Sequence, residues 1–471
     1  MENAKKTGFK LPSSYTIILI IIVTIAIITH FVSGVTPARL SDIVNAPVQG
    51  FVKGVSVILF ILVIGGYLKI INDTGILETG IAKIVKKAKG KEIYLIPILM
   101  FLFSLGGTTY GMAEETLAFY PLVIATMLAC GFDVITGVAT ILLGMFCGVS
   151  GSTINPFSIG TAVDALKTAT GIEANQAVIL IIGSIIWLSS VTMSSIFVMN
   201  YAKKVKKDKR YSILSEEETR AGEAKFANKD GNIDEVSLNY TGKMKLTLGL
   251  FAFSFVVMIM ALVPWEDYGI TIFNGWTSFL TGLPFGEWYY NDLSVWFIIM
   301  AVIIGKINGL TEKVVIKTFI KGAGELVSVA MIVGFSKGIS IIMSTTGLDV
   351  FLLQAGTSAL SGVPTGLFSG ISYAIYTGLT MLIPSTSGLA SASIPTFGAL
   401  TSSLGFAPEV MISIYIGSHF IVGMVPTAGV VMSALSMSKI EFPTWVKFYG
   451  KLYVMITIVN IVVLSAAMTI L

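Results

Sequence analysis

An apolar segment of the chain is interrupted by the polar run Gly148-Val149-Ser150-Gly151-Ser152-Thr153-Ile154-Asn155-Pro156. Such a run breaks a helix, because glycine permits unusual backbone angles and Pro156 lacks an N–H group. In lipid, each unpaired backbone group costs several kcal/mol, so unwound backbone persists only where it is buried in protein or lines a wet cavity. We therefore predict a broken helix beside a binding site.

Three more polar segments resemble this first break. A second break lies at 423–429. Two further short polar segments, called knots here, precede the breaks at 106–111 and 384–388. Each knot leads to a proline, Pro121 or Pro395, and each proline is followed at the same interval by Gly-Phe. Paired segments of this kind indicate an internal repeat, which is typical of transporters.

The composition is that of a membrane protein. Residues are 54% hydrophobic and 12% charged, and the mean hydropathy is +0.85. A soluble protein has about 25% charged residues. Windows long and apolar enough to cross a bilayer lie near 14–34, 50–71, 176–200, 244–263, 293–309, 326–344 and 449–471. We interpret the first as a retained span rather than a signal peptide.

Basic residues set the predicted orientation. Lys and Arg concentrate in the N-terminal tail, at 83–91, at 203–245, at 306–321 and at 439–451. The loop 264–292 has neither, but it carries aromatic residues that suit the outer membrane interface: Trp265, Trp276, Trp288, Tyr289 and Tyr290. The positive-inside rule then places the N-terminus in the cytoplasm. These Lys and Arg positions explain the net charge of +4 without a nucleic-acid partner.

The spans of the two halves run in opposite directions, so the repeats are predicted to be inverted. The fold class is an all-α polytopic membrane protein with two inverted repeats, and the family resemblance given below implies that each repeat has a re-entrant hairpin and a broken transmembrane helix. Residues 1–200 form the first repeat, 201–243 a cytoplasmic linker and 244–471 the second repeat. The hairpins are placed at about 93–130 and 364–404, and the broken helices at about 132–170 and 408–440.

The candidate substrate- or ion-binding residues belong to these four polar segments, together with two glutamates that follow the first knot. They are Gly107, Thr108, Thr109, Gly111, Glu114, Glu115, Ser152, Thr153, Asn155, Pro156, Ser385, Thr386, Ser387, Gly388, Pro426, Thr427 and Gly429. Hydroxyls, amides and free carbonyls can hold a polar metabolite, and the same segments can hold a coupling Na⁺. No cofactor is expected, and the coupling ion is Na⁺ or H⁺.

An ionisable side chain inside the membrane requires an explanation, because inserting a carboxylate at the bilayer centre costs about 2.5–3.5 kcal/mol of free energy. Glu114 and Glu115 suit a bound cation, or one of them forms a structural ion pair with Lys337 or Lys69. The role of Lys337 is open. His419 is interpreted as a hydrogen-bonded core residue, with proton coupling as the alternative.

The sequence gives no indication that the protein is an enzyme. It contains no His-Glu-x-x-His motif, no Gly-x-Ser-x-Gly elbow and no P-loop. A channel is an alternative to a carrier, because broken helices can also line a pore.

Residues 106–121 and 151–157 resemble the YfcC family, which groups with the DcuC-type C4-dicarboxylate carriers of the ion-transporter superfamily. The resemblance implies a bacterial inner-membrane homodimer whose transport domain moves as an elevator. It implies a small-molecule substrate, either a basic amino acid such as arginine or ornithine, or a C4-dicarboxylate. Dicarboxylate relatives often carry Ser-Asn-Thr at the hairpin tips, whereas this chain has Gly-Thr-Thr and Ser-Thr-Ser and so departs from the dicarboxylate pattern. The preferred substrate is the basic amino acid, which is compatible with Glu114 and Glu115.

Overall fold

A computed structural model describes residues 14–76, 86–227, 242–263, 265–360 and 363–471. The predicted basic N-terminal tail, Lys83 and part of the linker, 228–241, lie outside these ranges. Within them the secondary structure is helical, and the predicted all-α class is confirmed.

The helices are named here in chain order. They are α1 (Ser14–Thr29), α2 (Leu40–Asp73), α3 (Leu95–Tyr110), α4 (Tyr120–Ala129), α5 (Val134–Ser150), α6 (Thr161–Thr170), α7 (Gln176–Lys207), α8 (Glu216–Phe226), α9 (Gly242–Leu262), α10 (Tyr290–Ile307), α11 (Glu312–Glu325), α12 (Val327–Thr346), α13 (Leu348–Leu360), α14 (Thr365–Leu382), α15 (Thr386–Ser403), α16 (Pro408–Gly417), α17 (Gly429–Ser438) and α18 (Phe442–Ile470).

Among the described residues, eight helical stretches are long and apolar enough to cross a membrane. Six of them, α2, α7, α9, α10, α12 and α18, coincide with predicted windows, while α1 is a shorter apolar helix within the first window. The other two stretches are Glu92–Tyr110 and Pro408–Ser438, which the sequence assigns to a hairpin and a broken helix. The chain is thus a multi-span membrane protein.

The helices stop at the polar segments. Helix α5 ends at Ser150, irregular backbone and a short π-helical turn at Pro156–Gly160 follow, and α6 resumes at Thr161. In the second half a 3₁₀ turn at Ser418–Met424 and extended backbone separate α16 from α17. The pairing of the two halves as inverted repeats, and the predicted domain limits, stay predictions.

Close packing of glycines brings the first knot against the first break. A Cβ on Gly148 would overlap the carbonyl oxygen of Ser104 in α3, and a Cβ on Gly107 would overlap the backbone of α5 at Met145. Helices approach this closely in membranes only where small residues leave the backbone uncovered. The contact fixes the end of α3 beside the end of α5.

The described part of the predicted linker contains a docked helix. Ser215 caps α8 through the N–H of Glu218, and Glu218 Oε2 accepts from the N–H of Ser215 at 2.7 Å. Glu218 Oε1 also accepts from the N–H of Glu441 at 2.9 Å, just before α18. Lys225 Nζ donates to the carbonyl of Met437 at the end of α17. Burial, together with neighbouring Lys439, lowers the pKa of Lys225.

Candidate substrate cavity

A cavity of about 240 Å³ lies where the ends of the interrupted helices meet. This volume is several times the roughly 30 Å³ of one water molecule, and it suits one small metabolite. Helices α2, α5 and α12 also contribute to its wall through Val57, Phe146 and Val333. The sequence-predicted residues that line it are Gly111, Glu114, Glu115, Asn155, Ser385, Thr386, Ser387, Thr427 and Gly429.

Other predicted residues hold the first knot to the first break. Thr108 Oγ1 donates to the carbonyl of Gly151 at 2.7 Å, and the N–H of Thr153 donates to the carbonyl of Thr108 at 3.1 Å. Ser152 Oγ donates to the carbonyl of Val149. These bonds satisfy backbone groups that the broken helices leave free, so the segment is held without secondary structure.

Not every predicted residue reaches the cavity wall. Gly107 packs against α5, and Thr109 Oγ1 donates within its own helix to Leu105. Gly388 donates its N–H to Ser385 Oγ at the start of α15. Pro156 begins the π-helical turn, and Pro426 lies between Val425 and Thr427, ahead of α17.

Gly111 and Asn155 form the junction between the two first-half segments. Gly111 ends α3 with a φ of +74°, a left-handed angle that glycine adopts readily. A Cβ there would lie 2.7 Å from Asn155 Nδ2. Asn155 is 1% exposed, donates to Ser152 Oγ and accepts from the N–H of Phe157. A glycine is therefore required at 111, since any larger residue would displace this amide.

The two glutamates bring negative charge to the cavity wall. Glu115 is 4% exposed, and its Oε2 accepts from the N–H of Ala113 at 2.9 Å. Glu114 Oε2 accepts from the hydroxyl of Tyr290 at 3.0 Å. Within the described ranges neither carboxylate forms an ion pair.

The two lysines proposed as structural partners do not neutralise these carboxylates. Lys69 Nζ lies 3.2 Å from Glu325 and 3.9 Å from Asp73. Lys337 lines the same cavity as the glutamates, half-buried and without an ion pair among the residues described. The cavity wall therefore carries the side chains of two glutamates and one lysine, with no ion pair among them in the described ranges.

Tyr290 is one of the cavity residues that sequence reasoning missed. Its position in the aromatic loop 264–292 suggested the outer interface, but it is the first residue of α10 and only 6% exposed. Its ring contacts Tyr289, which in turn contacts Phe157, with centroids 4.3 and 5.4 Å apart. Tyr289, Tyr290 and Phe157 all line the cavity. No sequence signal separates Tyr290 from the interfacial aromatic residues around it.

Two helix N-termini also open on the cavity. Helix α15 begins at Thr386 after the capping residue Ser385, and α17 begins at Gly429 without a side-chain cap. Thr427, just ahead of α17, donates to the carbonyl of Met381 at the end of α14. Free N–H groups at helix N-termini favour negative charge. The wall thus offers both cation- and anion-binding groups.

A family model described as "DcuC: C4-dicarboxylate anaerobic carrier" matches residues 34–469. The chain belongs to this carrier family. The resemblance seen at 106–121 and 151–157 is confirmed. DcuC-family members are membrane transporters and not enzymes, so a lipid bilayer and a small-molecule substrate are the partners of this chain.

Two relatives of this DcuC-family chain are similar over most of its length. An "Uncharacterized protein" of Haemophilus influenzae is 31% identical over 410 residues, 87% of this chain and 74% of the relative. The "Putative basic amino acid antiporter YfcC" of Escherichia coli is 25% identical over 445 residues, 89% of this chain and 80% of the relative.

Solved structures of two transporters are also similar along nearly the whole chain. The YdaH transporter of Alcanivorax borkumensis has a TM-score of 0.45 at 14% identity, covering 97% of this chain and 98% of its own. Neisseria gonorrhoeae MtrF has a TM-score of 0.44 at 16% identity, covering 98% and 96%.

Proposed function

We propose that this DcuC-family transporter is a secondary active carrier that exchanges basic amino acids, such as arginine and ornithine, through the cavity. The observation that supports this most is the pair Glu114 and Glu115, which face the cavity without an ion pair among the described residues. Buried carboxylates are costly unless a cation accompanies them. A guanidinium or ammonium side chain supplies that cation.

The remaining groups of the wall match the other end of an amino acid. Its α-carboxylate suits Lys337 and the N-termini of α15 and α17 at Ser387 and Gly429, which line the same cavity. A basic amino acid carries both kinds of charge in one molecule, and its net charge of +1 suits the two glutamates and one lysine. The printed name of the E. coli relative, "Putative basic amino acid antiporter YfcC", supports the same substrate class.

A C4-dicarboxylate is the second candidate, favoured by the description of the family and by Lys337 in the cavity wall. Its two carboxylates would use Lys337 and the helix N-termini. Glu114 and Glu115 would then hold the coupling cation, Na⁺ or H⁺. This assignment places up to four negative charges in one small cavity, and so we rank it below the basic amino acid.

The test is uptake into proteoliposomes preloaded with ornithine, with labelled arginine compared with labelled succinate in the presence and absence of Na⁺. We expect saturable arginine counterflow and no succinate uptake. Succinate uptake without arginine uptake would overturn the proposal in favour of the dicarboxylate carrier. Non-saturable flux without counterflow would indicate a channel.

We further propose the remaining features that the family implies. The chain works as a homodimer in a bacterial inner membrane with its N-terminus in the cytoplasm, and its hairpins and broken helices move as an elevator. Coupling to Na⁺ uses the unwound segments around Thr153 and Thr427.

A further inference from the structure

Three residues of the cavity lining each have one buried polar atom without a hydrogen-bond partner among the described residues. These atoms are the hydroxyl of Tyr110, Oγ of Ser336 and Nε2 of His419, whose residues are 3%, 7% and 1% exposed. Buried polar atoms nearly always have a partner, and each exception requires an explanation. Other atoms of this kind belong to residues outside the cavity lining, whereas these three belong to residues that line one cavity, where a ligand can supply the missing partner.

The histidine is the most informative of the three, because its other nitrogen fixes its tautomer. His419 Nδ1 lies 2.9 Å from the carbonyl oxygen of Tyr415. A carbonyl oxygen can only accept, so Nδ1 carries the hydrogen. In the neutral ring this leaves Nε2 as a lone-pair acceptor that cannot donate. The two hydroxyls, by contrast, can either donate or accept.

Packing holds the ring in this orientation. The ring of His419 meets the ring of Tyr415 edge-on, with centroids 4.9 Å apart and an interplanar angle of 78°. Tyr415 is itself held, since its hydroxyl donates to the carbonyl of Thr386 at the start of α15 at 2.7 Å. The acceptor is therefore preorganised, and it is tied to the second-half segment that also lines the cavity.

We infer that His419 Nε2 accepts a hydrogen bond from an N–H group of the transported cation and thereby selects for substrates that carry such a donor. This rests on the proposed function, and it adds a specificity-determining residue outside the predicted set. A site built to bond an N–H rejects analogues that lack it, because the buried acceptor is then unpaired. Ammonium and guanidinium groups supply the donor, whereas a fully ionised dicarboxylate does not.

The test compares His419→Gln with His419→Leu in ornithine-loaded proteoliposomes, because a glutamine carbonyl can replace the Nε2 acceptor and leucine cannot. We expect His419→Leu to raise the KM for arginine at least tenfold and His419→Gln to stay within about threefold of wild type. His30→Leu is the matched control, since His30 bonds the carbonyl of Ala38 and is not part of the cavity wall.

A ligand series on the wild-type protein keeps the inference testable if a variant does not fold. Lysine, α-N-trimethyllysine and ε-N-trimethyllysine compete with labelled arginine, and the trimethyl groups keep the positive charge but remove the N–H donors. We expect one trimethyl compound to inhibit at least tenfold less well than lysine. In folded His419→Leu this difference should shrink severalfold.

The outcomes separate the two proposals. If the wild-type protein shows arginine counterflow and His419→Leu has an unchanged KM for arginine, the role of His419 is overturned. Equal inhibition of the wild-type protein by lysine and both trimethyllysines would overturn it as well. In both cases the proposed function stands. Succinate transport without arginine transport would overturn both.

Discussion

At the scale of single residues, the cavity depends on two glutamate side chains that pair with no lysine or arginine among the described residues. Glu114 bonds a phenol and Glu115 a backbone N–H, and among described residues neither meets a lysine. Hydrogen bonds to charged groups contribute about 1.5–3 kcal/mol, which is enough to orient each carboxyl group. The pair is therefore fixed in position and still available to a cation.

Tyr290→Phe should weaken substrate binding without unfolding the protein. The phenylalanine keeps the ring in place but removes the hydroxyl that orients Glu114, and about 1.4 kcal/mol corresponds to a tenfold change in affinity. We expect the KM for arginine counterflow to rise about tenfold. Tyr94→Phe, at an exposed site, is the control, and an unchanged KM in Tyr290→Phe would contradict a positioning role.

The residue scale also shows how far sequence alone reaches. Asn155, Ser387 and Thr427 could be predicted from the sequence, because they lie in polar segments whose Gly, Pro and hydroxyl residues are typical of broken helices. Tyr110 lies in the first knot but was not among the candidate residues, and Ser336 in α12 lies outside the four polar segments, yet both line the cavity. Gly107 has the same composition signal as its neighbours but serves close packing. Sequence composition does not distinguish a glycine that lines a cavity from one that packs a helix.

At the scale of helices, the α3–α5 crossing sets the position of the first knot. Gly148→Ala should destabilise the protein by about 1–3 kcal/mol, the usual cost of overpacking, because the added methyl meets the Ser104 backbone. Gly378→Ala in α14 is the control, since nothing lies within 4 Å of its Cβ position. We expect a lower melting temperature in detergent for Gly148→Ala only. Equal melting temperatures would contradict the crossing.

Helix α8 is the element that the linker interpretation did not include. The pattern Ser215-Glu216-Glu217-Glu218 is a capping box, so a signal was present within a segment that otherwise looks polar and irregular. Its docking depends on Glu218 reaching Glu441 across 223 positions of sequence, and no local pattern predicts such a contact. Long apolar windows such as 176–200 were simpler to predict, because hydropathy alone identifies them as membrane spans.

Glu218→Ala should loosen this attachment. The N–H of Glu441 loses its acceptor, and the cap of α8 loses one of its two bonds. We expect faster hydrogen exchange at 215–226 and at 440–443, measured by mass spectrometry in detergent. Glu217→Ala, at an exposed neighbouring position, is the matched control. Exchange that is equally slow in both variants would show that α8 is held by other contacts.

At the scale of the whole molecule, the proposed orientation follows from the distribution of lysine and arginine. Arg220→Cys should react with a membrane-impermeant thiol reagent only after cells are permeabilised, whereas Phe279→Cys, at an 82% exposed residue, should react in intact cells. The native Cys130 and Cys147 are buried, which keeps the background low. The reverse labelling pattern would contradict a cytoplasmic N-terminus.

The most direct test of the central claim is calorimetric titration of arginine into the purified wild-type protein, Glu115→Gln and Glu173→Gln. Glu173 pairs with Lys167 at an exposed site and serves as the matched control. We predict saturable arginine binding to wild type and control, at least tenfold weaker binding to Glu115→Gln, and no heat from succinate. Equal arginine affinity in all three proteins, or binding of succinate alone, would contradict a cation site at Glu114 and Glu115.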